Sequence, residues 1–424
     1  MNGTDRELLE IISAEINDEL LNNILPYWIN HVIDYQNGGF FGRITFDNVP
    51  VQEADKGSLL AARILWTFSA CYKKYGLQQF KDTADHAYSF LKDSCWDREN
   101  GGIYWMVTFD GKPKDTRKLV YGQAFGIYAL SEYFSATKKD EALDLAVELY
   151  TILEEKCADQ LNGGYYEAFS RHWKVMDDAR LSKKDHNEPK SMNTHLHLLE
   201  AYTNLYRSWK SEELKQKLSE LVDLFSEHII NEEETATIAF LSEDWIPRSD
   251  VISYGHDIET SWLLIEAAEV MEDYERYQSL RKISLGLAHN VITSGLDNNG
   301  GIFNEGGPAG IVDDSKDWWP QAEALVGFVN AYQLSGNAVY LKAAGQVWEF
   351  TKEYIIDTKH GEWHEKVHRN GTPYELDKVR SWKCPYHNGR AALEISNRVN
   401  SMLDSETELS AGEGLSERES KINS

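Results

Sequence analysis

Cysteine, basic charge and long apolar runs are all scarce in this sequence of 424 residues. Its four cysteines include no CxxC pair, so neither a zinc site nor a disulfide framework is indicated. Lysine and arginine number 43 against 69 acidic residues, and the net charge of −26 argues against nucleic-acid binding. No stretch is long and apolar enough to span a membrane, and the acidic, amphipathic N-terminus is unlike a signal peptide. We therefore expect a cytoplasmic protein with reduced cysteines and no nucleic-acid or membrane partner.

Aromatic residues, in contrast, are plentiful. They make up 12% of the chain, with 13 tryptophans and 22 tyrosines, and hydrophobic residues as a whole reach 42%. This content is enough for a large core. Aromatic rings also offer flat apolar faces with polar edges, which suits the binding of sugars. Because a large core would use many of these rings anyway, their number does not decide between the two uses.

One phrase recurs along the chain: an Asn-Gly-Gly turn followed by aromatic or β-prone residues. Asn-Gly turns supply positive φ at low cost, and the alternating residues that follow suit a short hairpin. Four copies are clear, a fifth is degenerate and a sixth lacks its glycines. The copies lie between 61 and 73 residues apart and begin at Asn37, Asn100, Asn162, Thr235, Asn299 and His360. This near-equal spacing predicts six structural repeats.

Two kinds of helical segment alternate between these turns. In residues 4–25 and 80–91, apolar residues recur on one side only, which predicts outer helices with one face toward water. Segments that begin at Leu59, Tyr121 and Tyr254 are apolar nearly all round. Such segments predict inner helices that are buried on every side.

Six repeats of one outer and one inner helix predict an all-α fold: an (α/α)6 barrel of two concentric rings, with short β-hairpins in the connecting loops. An open helical solenoid is the alternative, but it would expose the apolar inner helices. We expect residues 1–400 to form this single catalytic domain. Residues 401–424 are polar, acidic and rich in small residues, and we expect them to be disordered.

A polar residue recurs near the start of each predicted inner helix, in step with the turns. The repeat register predicts that all six face one mouth of the barrel. Buried polar groups need partners, so a ring of them in an apolar barrel indicates a polar ligand or an internal network. The six residues are Arg63, Gln123, His195, His256, Gln321 and His387.

Histidines dominate this set, and a neutral imidazole near pH 7 suits proton abstraction from a carbon next to a carbonyl. Two carboxylates one or two positions deeper, Glu259 and Glu323, would instead suit a glycosidase, which remains an alternative. A metal site that includes His195 and His197 is weaker, because residues i and i+2 of a helix point apart and no HExxH motif is present. We expect no metal and no cofactor.

Four segments resemble signatures of the cellobiose 2-epimerases, within the N-acylglucosamine 2-epimerase superfamily. They are MNTHLHLLEAYTNLY, SYGHDIETSWLL, DWWPQAEALVGF and WKCPYHNGRAALEI, in the family's order. The resemblance covers about residues 5–400, and CPYHNGR suits the cellobiose enzymes better than the N-acetylglucosamine ones. It implies the same (α/α)6 barrel. The loop at residues 181–190 is idiosyncratic and could alter the choice of disaccharide.

The resemblance also implies roles for individual residues. His256 and His387 would be the acid/base pair, and His197 would assist ring opening. Arg63 would bind the O1/O2 region of the sugar and stabilise negative charge. Further residues would hold sugar hydroxyls, orient the histidines or stack on sugar faces: Tyr121, Asn193, Glu259, Trp319 and Trp382, with Trp318 and Trp245 as weaker candidates.

The implied reaction is inversion of C2 in the reducing-end glucose of β-1,4 disaccharides such as cellobiose and lactose, through ring opening and a cis-enediolate. One histidine would start neutral and the other protonated, which predicts a bell-shaped pH profile. The alternatives are an aldose–ketose isomerase acting on mannose, an N-acetylglucosamine 2-epimerase, and a sugar-binding module without activity. The expected partner is the disaccharide, and the expected assembly is a monomer or weak homodimer.

Overall fold

The computed structural model describes the backbone of residues 1–231, 233 and 235–422, and side chains as far as residue 404 except those of 232 and 234. In this part of the chain the helices, in order, are α1 (Gly3–Glu19), α2 (Leu25–Tyr27), α3 (Ser58–Tyr75), α4 (Gln78–Phe90), α5 (Val120–Thr137), α6 (Asp140–Lys156), α7 (Met192–Ser208), α8 (Glu212–Leu224), α9 (Tyr254–Met271), α10 (Tyr274–Asn290), α11 (Trp318–Ser335), α12 (Ala338–Phe350) and α13 (Tyr386–Ile422).

Turns of π-helix extend most of the outer helices toward the hairpins that follow. They follow α1, α2, α4, α8, α10 and α12, and span Leu20–Ile24, Trp28–Val32, Leu91–Cys95, Phe225–Ile229, Val291–Gly295 and Thr351–Ile355. The helix that begins at Gly3 therefore runs with little interruption to Val32. None of the helices in the described residues combines the length and the apolar character that a membrane span requires.

Short strands connect the helices. In order they are β1 (Lys56–Gly57), β2 (Met106–Val107), β3 (Pro113–Asp115), β4 (Lys118–Leu119), β5 (Ala168–Phe169), β6 (Lys190–Ser191), β7 (Ile230–Asn231), β8 (Ala236–Thr237), β9 (Phe240–Leu241), β10 (Ile252–Ser253), β11 (Glu305–Gly307), β12 (Gly310–Asp313), β13 (Lys316–Asp317) and β14 (Lys366–Val367). They pair antiparallel as β1-β2-β3, β10-β11-β12, β13-β14, β4-β5, β6-β9 and β7-β8. Each sheet has two or three strands, so the sheets act as connections and not as a core layer.

The two rings follow from the pattern of burial. The inner helices α3, α5, α7, α9, α11 and α13 each pack against the next, and α13 returns to pack against α3. In α5 every residue from Val120 to Tyr133 is buried, whereas α4 buries one face and exposes the other. The inner ring is thus closed. The predicted (α/α)6 barrel is confirmed, and the open solenoid is excluded.

Each of the six sequence repeats forms the hairpin that its turn predicts. Backbone pairing joins Ile33 to Phe40 in the first repeat, and β7 to β8 in the fourth, which lacks the glycines. Glycine is needed where the turn touches the inner ring. Gly164 has a φ of +73°, and a Cβ there would lie 2.5 Å from Trp245 and 2.7 Å from Nε2 of His195.

A buried ion pair ties five of the six turns to the inner helix that follows. In each pair an aspartate just before the turn meets a lysine that lies two to eight residues before the next inner helix, and such pairs persist in a core because each charge compensates the other. The Nζ–carboxylate distances range from 2.6 to 3.2 Å. The pairs are Asp34–Lys56, Asp97–Lys118, Asp159–Lys190, Asp297–Lys316 and Asp357–Lys378. These pairs hold the start of five of the six inner helices against the preceding turn.

The four cysteines are all buried and none forms a disulfide, as expected from their spacing. The barrel ends within α13. The predicted disorder of residues 401–424 falls largely on residues 405–424, which lie outside the described side chains. The division into a domain of residues 1–400 and a tail therefore stays a prediction.

Candidate active site

A cavity of about 620 Å³ opens at the end of the barrel where the inner helices begin. All nine residues proposed from the sequence line it. They come from all six inner helices and from the segment before α13: Arg63, Tyr121, Asn193, His197, His256, Glu259, Trp319, Trp382 and His387. The long connection before β6 closes one side of the cavity with Arg180, Asp185 and His186.

The proposed acid/base histidines share this cavity although they lie far apart in the sequence. The ring of Trp319 packs against both, with centroid distances of 4.6 Å to His256 and 5.6 Å to His387. His197 reaches the cavity from α7. Its ring packs nearly perpendicular to that of Tyr121, with the two ring centroids 5.0 Å apart. Imidazoles from three different helices therefore face one space.

Each of these histidines has a hydrogen-bond partner at its Nδ1 atom, a carboxylate for two of them and a hydroxyl for the third. Nδ1 of His387 lies 2.6 Å from Oε1 of Glu323, and Nδ1 of His197 lies 2.9 Å from Oε2 of Glu200. The third, His256, has only the hydroxyl of Ser253, at 2.7 Å. In all three, Nε2 is the nitrogen left for a ligand.

The protonation of the acid/base pair follows from burial. Burial lowers the pKa of His256 to about 3. Burial also lowers the pKa of His387 well below its ordinary value, and the charges of Arg63 and Arg390 act in the same direction. Both imidazoles are thus neutral at pH 7 when the cavity holds no sugar. The expectation that one of the two starts protonated stays a prediction, and burial opposes the charged form of both rings while no sugar is bound.

A network of charges lies beneath the histidines, around the guanidinium of Arg390. Its Nη2 donates to Glu259 at 2.5 Å and to Glu323 at 2.7 Å, and its Nη1 donates to Glu200 and meets the hydroxyl of Tyr386. The hydroxyl of Tyr386 in turn donates to Glu200. Four inner helices therefore meet at one buried cation.

The three carboxylates of this network differ in charge. Burial and the charge of the neighbouring Glu323 together raise the pKa of Glu259 to about 7. Burial raises the pKa of Glu323 as well, against the effect of Arg390. Burial opposes ionisation of Glu200 too, but Arg390 and the hydrogen bond from His197 lower its pKa to about 2. Glu259 is thus the carboxyl that can exchange a proton near neutral pH.

Within the described residues, one group of side chains brings metal-ligand atoms close together. Atoms of Glu259, Glu323 and His387 lie within 4.8 Å of one another. Arg390 already donates to both carboxylates, however, and a carboxylate pair compensated by a guanidinium is a poor match for a second cation. His195 and His197, the two histidines considered for a metal from their spacing, are not part of this group.

One wall of the cavity carries the proposed oxyanion residue. Arg63 Nη2 donates to the hydroxyl of Tyr121 at 2.6 Å, and Nη1 donates to the backbone oxygen of Trp382 at 3.4 Å. Its guanidinium lies 4.3 Å from the ring centroid of Phe125. The buried polar atoms of cavity residues that have no hydrogen-bond partner among the described residues include three on this wall and near the histidines: Arg63 Nε, Asn193 Oδ1 and Glu259 Oε2. Buried polar atoms normally have partners, so these three favour a hydroxyl-rich ligand.

Comparison with known proteins agrees with this arrangement. The family model described as N-acylglucosamine 2-epimerase (GlcNAc 2-epimerase) matches residues 39–391. The chain belongs to the N-acylglucosamine 2-epimerase family. The resemblance seen in the four sequence segments is thereby confirmed, and the protein is an enzyme of the isomerase class with sugar 2-epimerase activity.

Individual members of the family align over most of their length. The cellobiose 2-epimerase of Bacteroides fragilis is 43% identical over 388 residues, which cover 91% of this chain and 99% of that one. The cellobiose 2-epimerase of Dictyoglomus turgidum is 42% identical over 392 residues, covering 92% and 100%. The solved cellobiose 2-epimerase of Bacillus thermoamylovorans superimposes with a TM-score of 0.88 at 38% identity, covering 92% and 100%.

Three residues of the predicted polar ring do not face the cavity of this epimerase. Gln123 and His195 instead bond hairpin backbone: Gln123 donates to Ile103 O at 2.8 Å, and the Tyr165 N–H donates to His195 Nε2 at 3.0 Å. Gln321 repeats the first arrangement at another hairpin. The prediction for these three was wrong because the register aligned residues that occupy different positions within their helices.

The two weaker tryptophan candidates separate as well. Trp318 lines the cavity. Trp245 stacks on His228 and donates to the backbone oxygen of Asn162 at 2.7 Å, so it belongs to a hairpin. The sequence reasoning also missed Glu200, although it lies three residues after His197 on the same helix face, a spacing at which side chains meet.

Proposed function

We propose that this epimerase inverts C2 of the reducing-end glucose in β-1,4 disaccharides, converting cellobiose to glucosyl-mannose and lactose to epilactose. The observation that carries the proposal is the pair of neutral imidazoles, His256 and His387, which line one cavity and flank Trp319. The similarity to the cellobiose 2-epimerases of Bacteroides fragilis and Dictyoglomus turgidum supports the choice of cellobiose. We expect the reaction to run in the cytoplasm without a metal or a cofactor.

Ring opening comes first, because only the free aldehyde acidifies the hydrogen on C2. His197 would take the proton from O1, since Glu200 holds its Nδ1 and leaves Nε2 for the sugar. Arg63 would bind the oxygens at C1 and C2. Asn193 Oδ1, buried without a partner among the described residues, would accept a hydrogen bond from a sugar hydroxyl.

Proton transfer at C2 then needs a base on one face of the carbon and an acid on the other. One histidine removes the C2 proton and leaves a planar cis-enediolate, whose negative charge lies close to Arg63. The other histidine delivers a proton to the opposite face. The two histidines exchange roles when the reaction runs in reverse.

Charge balance accounts for the proton that the acid must carry. Close to the histidines, the carboxylates of Glu200, Glu259 and Glu323 face the guanidiniums of Arg63 and Arg390. Because an uncompensated charge is costly in a buried site, the cluster favours uptake of one proton from solvent. This proton would be held between Glu259, whose pKa is about 7, and the imidazoles. Substrate binding would then place it on the histidine that acts as the acid.

The shape of the cavity favours two sugar rings over one. Its volume of about 620 Å³ falls in the middle of the range for small-molecule sites. Its lining includes the histidines and also Trp382, Asp185 and His186. The part near the histidines would hold the reacting glucose, and the part lined by Trp382, Asp185 and His186 would hold the second sugar.

The test is incubation with cellobiose in heavy water, followed by NMR. We expect deuterium at C2 of the reducing-end sugar together with signals of a mannose-type reducing end. A ketose among the products would instead indicate an aldose–ketose isomerase. Release of monosaccharides would indicate a glycosidase, and turnover of N-acetylglucosamine alone would indicate the other epimerase specificity. Saturable binding without any deuterium at C2 would leave only a sugar-binding module.

A further inference from the structure

We propose that Arg390 is a positioning residue that orients two of the three cavity histidines from beneath the cavity. It acts on His387 through the carboxylate of Glu323. On the opposite wall it acts on His197 through the carboxylate of Glu200. The inference rests on the proposed function in one respect: the histidines are taken to be the groups that move protons.

Arg390 and two of its three carboxylate partners, Glu200 and Glu323, do not line the cavity, whereas the third partner, Glu259, does. The exposed fractions are 1% for Arg390, 2% for Glu200 and 0% for Glu323. A sugar in the cavity would therefore touch the histidines and not this layer. Any effect of Arg390 on the reaction must pass through the groups that it holds.

The guanidinium reaches across the axis of the barrel. Arg390 belongs to α13, Glu323 to the neighbouring α11, and Glu200 to α7, which lies opposite α13 in the ring of six inner helices. Nη2 donates to Glu323 at 2.7 Å, and Nη1 donates to Glu200. The planar, delocalised guanidinium can satisfy both carboxylates at once, which an ammonium group at the end of a flexible chain cannot do.

The two carboxylates impose the same tautomer on their histidines. An ionised carboxylate only accepts hydrogen bonds, so Nδ1 of His197 carries hydrogen beside the ionised Glu200, and Nδ1 of His387 carries hydrogen when Arg390 keeps Glu323 ionised. The lone pair of each ring is then on Nε2, the nitrogen left for the sugar. Loss of the guanidinium would leave buried carboxylates uncompensated, and they would take up protons. A protonated carboxyl can donate to Nδ1 and would permit the wrong tautomer.

The third histidine provides an internal comparison. Nδ1 of His256 contacts the hydroxyl of Ser253, which can donate or accept, so no carboxylate fixes its tautomer. A change at Arg390 should therefore alter His387 and His197 and spare His256. A general loosening of the barrel would affect all three rings alike.

The first experiment uses Glu323→Gln, Glu200→Gln and Arg390→Lys in the full chain, labelled with 15N in histidine. We expect the wild type to show the Nδ1–H tautomer for His387 and His197. Glu323→Gln should convert His387 to a mixture or to the Nε2–H form, and Glu200→Gln should do the same to His197. Arg390→Lys should perturb both, with the signal of His256 unchanged.

Kinetics of cellobiose epimerisation supply the second readout. We expect kcat to fall by about 10- to 100-fold in Glu323→Gln and Arg390→Lys, because misplacing a reacting group by about 1 Å costs this much. KM should change far less, since the cavity lining is intact. The matched control is Arg398→Lys, on the same helix, where the guanidinium bonds Asn330 and Gln333 away from the cavity. It should leave kcat and the tautomers unchanged.

An unchanged His387 tautomer and an unchanged kcat in Glu323→Gln would overturn the proposal. So would equal shifts of all three histidines in Arg390→Lys. If Arg390→Lys fails to fold, the two isosteric Glu→Gln variants decide the question. The NMR measurement needs no sugar, so a wild type that epimerises no disaccharide would refute the proposed function while leaving the tautomer result readable.

Discussion

His195 and His197 are two residues apart on α7, and both are buried, yet they serve different parts of the molecule. His195 bonds the hairpin outside the inner ring, accepting from the Tyr165 N–H and meeting the backbone oxygen of Ser191 at 2.7 Å. His197 faces the cavity and bonds Glu200. Two residues advance a helix by more than half a turn, so they point to opposite sides. The position within the inner helix therefore decides which role a polar residue has.

The same rule holds for the other inner helices. The fourth residue of the helix bonds hairpin backbone in α5, α7, α9 and α11, where it is Gln123, His195, Asp257 and Gln321. The sixth residue of the helix faces the axis in α3, α7, α9 and α11, where it is Arg63, His197, Glu259 and Glu323. Variants that probe the two positions can break or sharpen this distinction.

The largest effect is expected for the histidines that meet at Trp319. His387→Ala and His256→Ala should each lower kcat by about 10²- to 10⁴-fold, the usual contribution of a general acid or base. The measurement is the rate of cellobiose epimerisation, with circular dichroism to confirm the fold. Near-normal turnover in either variant would exclude the two-histidine scheme.

An intermediate effect is expected for the axis-facing residue of the compared pair. His197→Gln should lower kcat on the order of 10²-fold, the lower end of general acid–base effects, because sugars also open slowly without help. Solvent deuterium should still enter C2 at a reduced rate. Complete loss of deuterium incorporation would instead assign His197 to the C2 step itself.

The smallest effect on activity is expected for the hairpin-facing residue. His195→Gln introduces the residue that α5 and α11 already use at this position, so kcat should stay close to that of the wild type. A loss comparable to that of His197→Gln would mean that the hairpin contact shapes the site. In that case the distinction between the two positions would fail.

The same variant should change how stability depends on pH. Burial lowers the pKa of His195 to about 4, whereas the unfolded chain binds this proton near pH 6.5. Because the unfolded state binds more protons between these values, His195 destabilises the wild type as pH falls from 6.5 to 4. The loss amounts to roughly 3 kcal/mol below pH 4. Urea unfolding of both proteins at pH 7 and pH 4.5 should show a gap that opens on acidification.

The family resemblance identified cavity residues better than the repeat register did. The resemblance to the family implied roles for nine residues, seven of them within the four quoted segments, and all nine line one cavity. Register alone placed Gln123, His195 and Gln321 in the same ring, because it could not locate the first residue of each helix to within one or two positions. An error of that size turns a side chain by 100° or more.

The buried ion pairs that join a turn to the next inner helix could not be recognised from the sequence either. Asp97 and Lys118 lie 21 residues apart, and nothing in the sequence distinguishes them from charged residues on the surface. Only burial, with both side chains fully enclosed, distinguishes such a pair from solvated charges. The same holds for Arg390 and Glu200, which lie 190 residues apart in the chain.

The sequence by itself determined the six hairpin turns, the alternation of half-buried and fully buried helices, and the closed barrel that buries them. These features depend on local turn residues and on hydrophobic periodicity, both of which can be read directly from the sequence. Only the tertiary structure decided which polar side chains face the axis and how their charges are shared. That outcome depends on the rotation of each helix and on the low dielectric of the barrel interior, where one guanidinium from α13 meets carboxylates from three other helices.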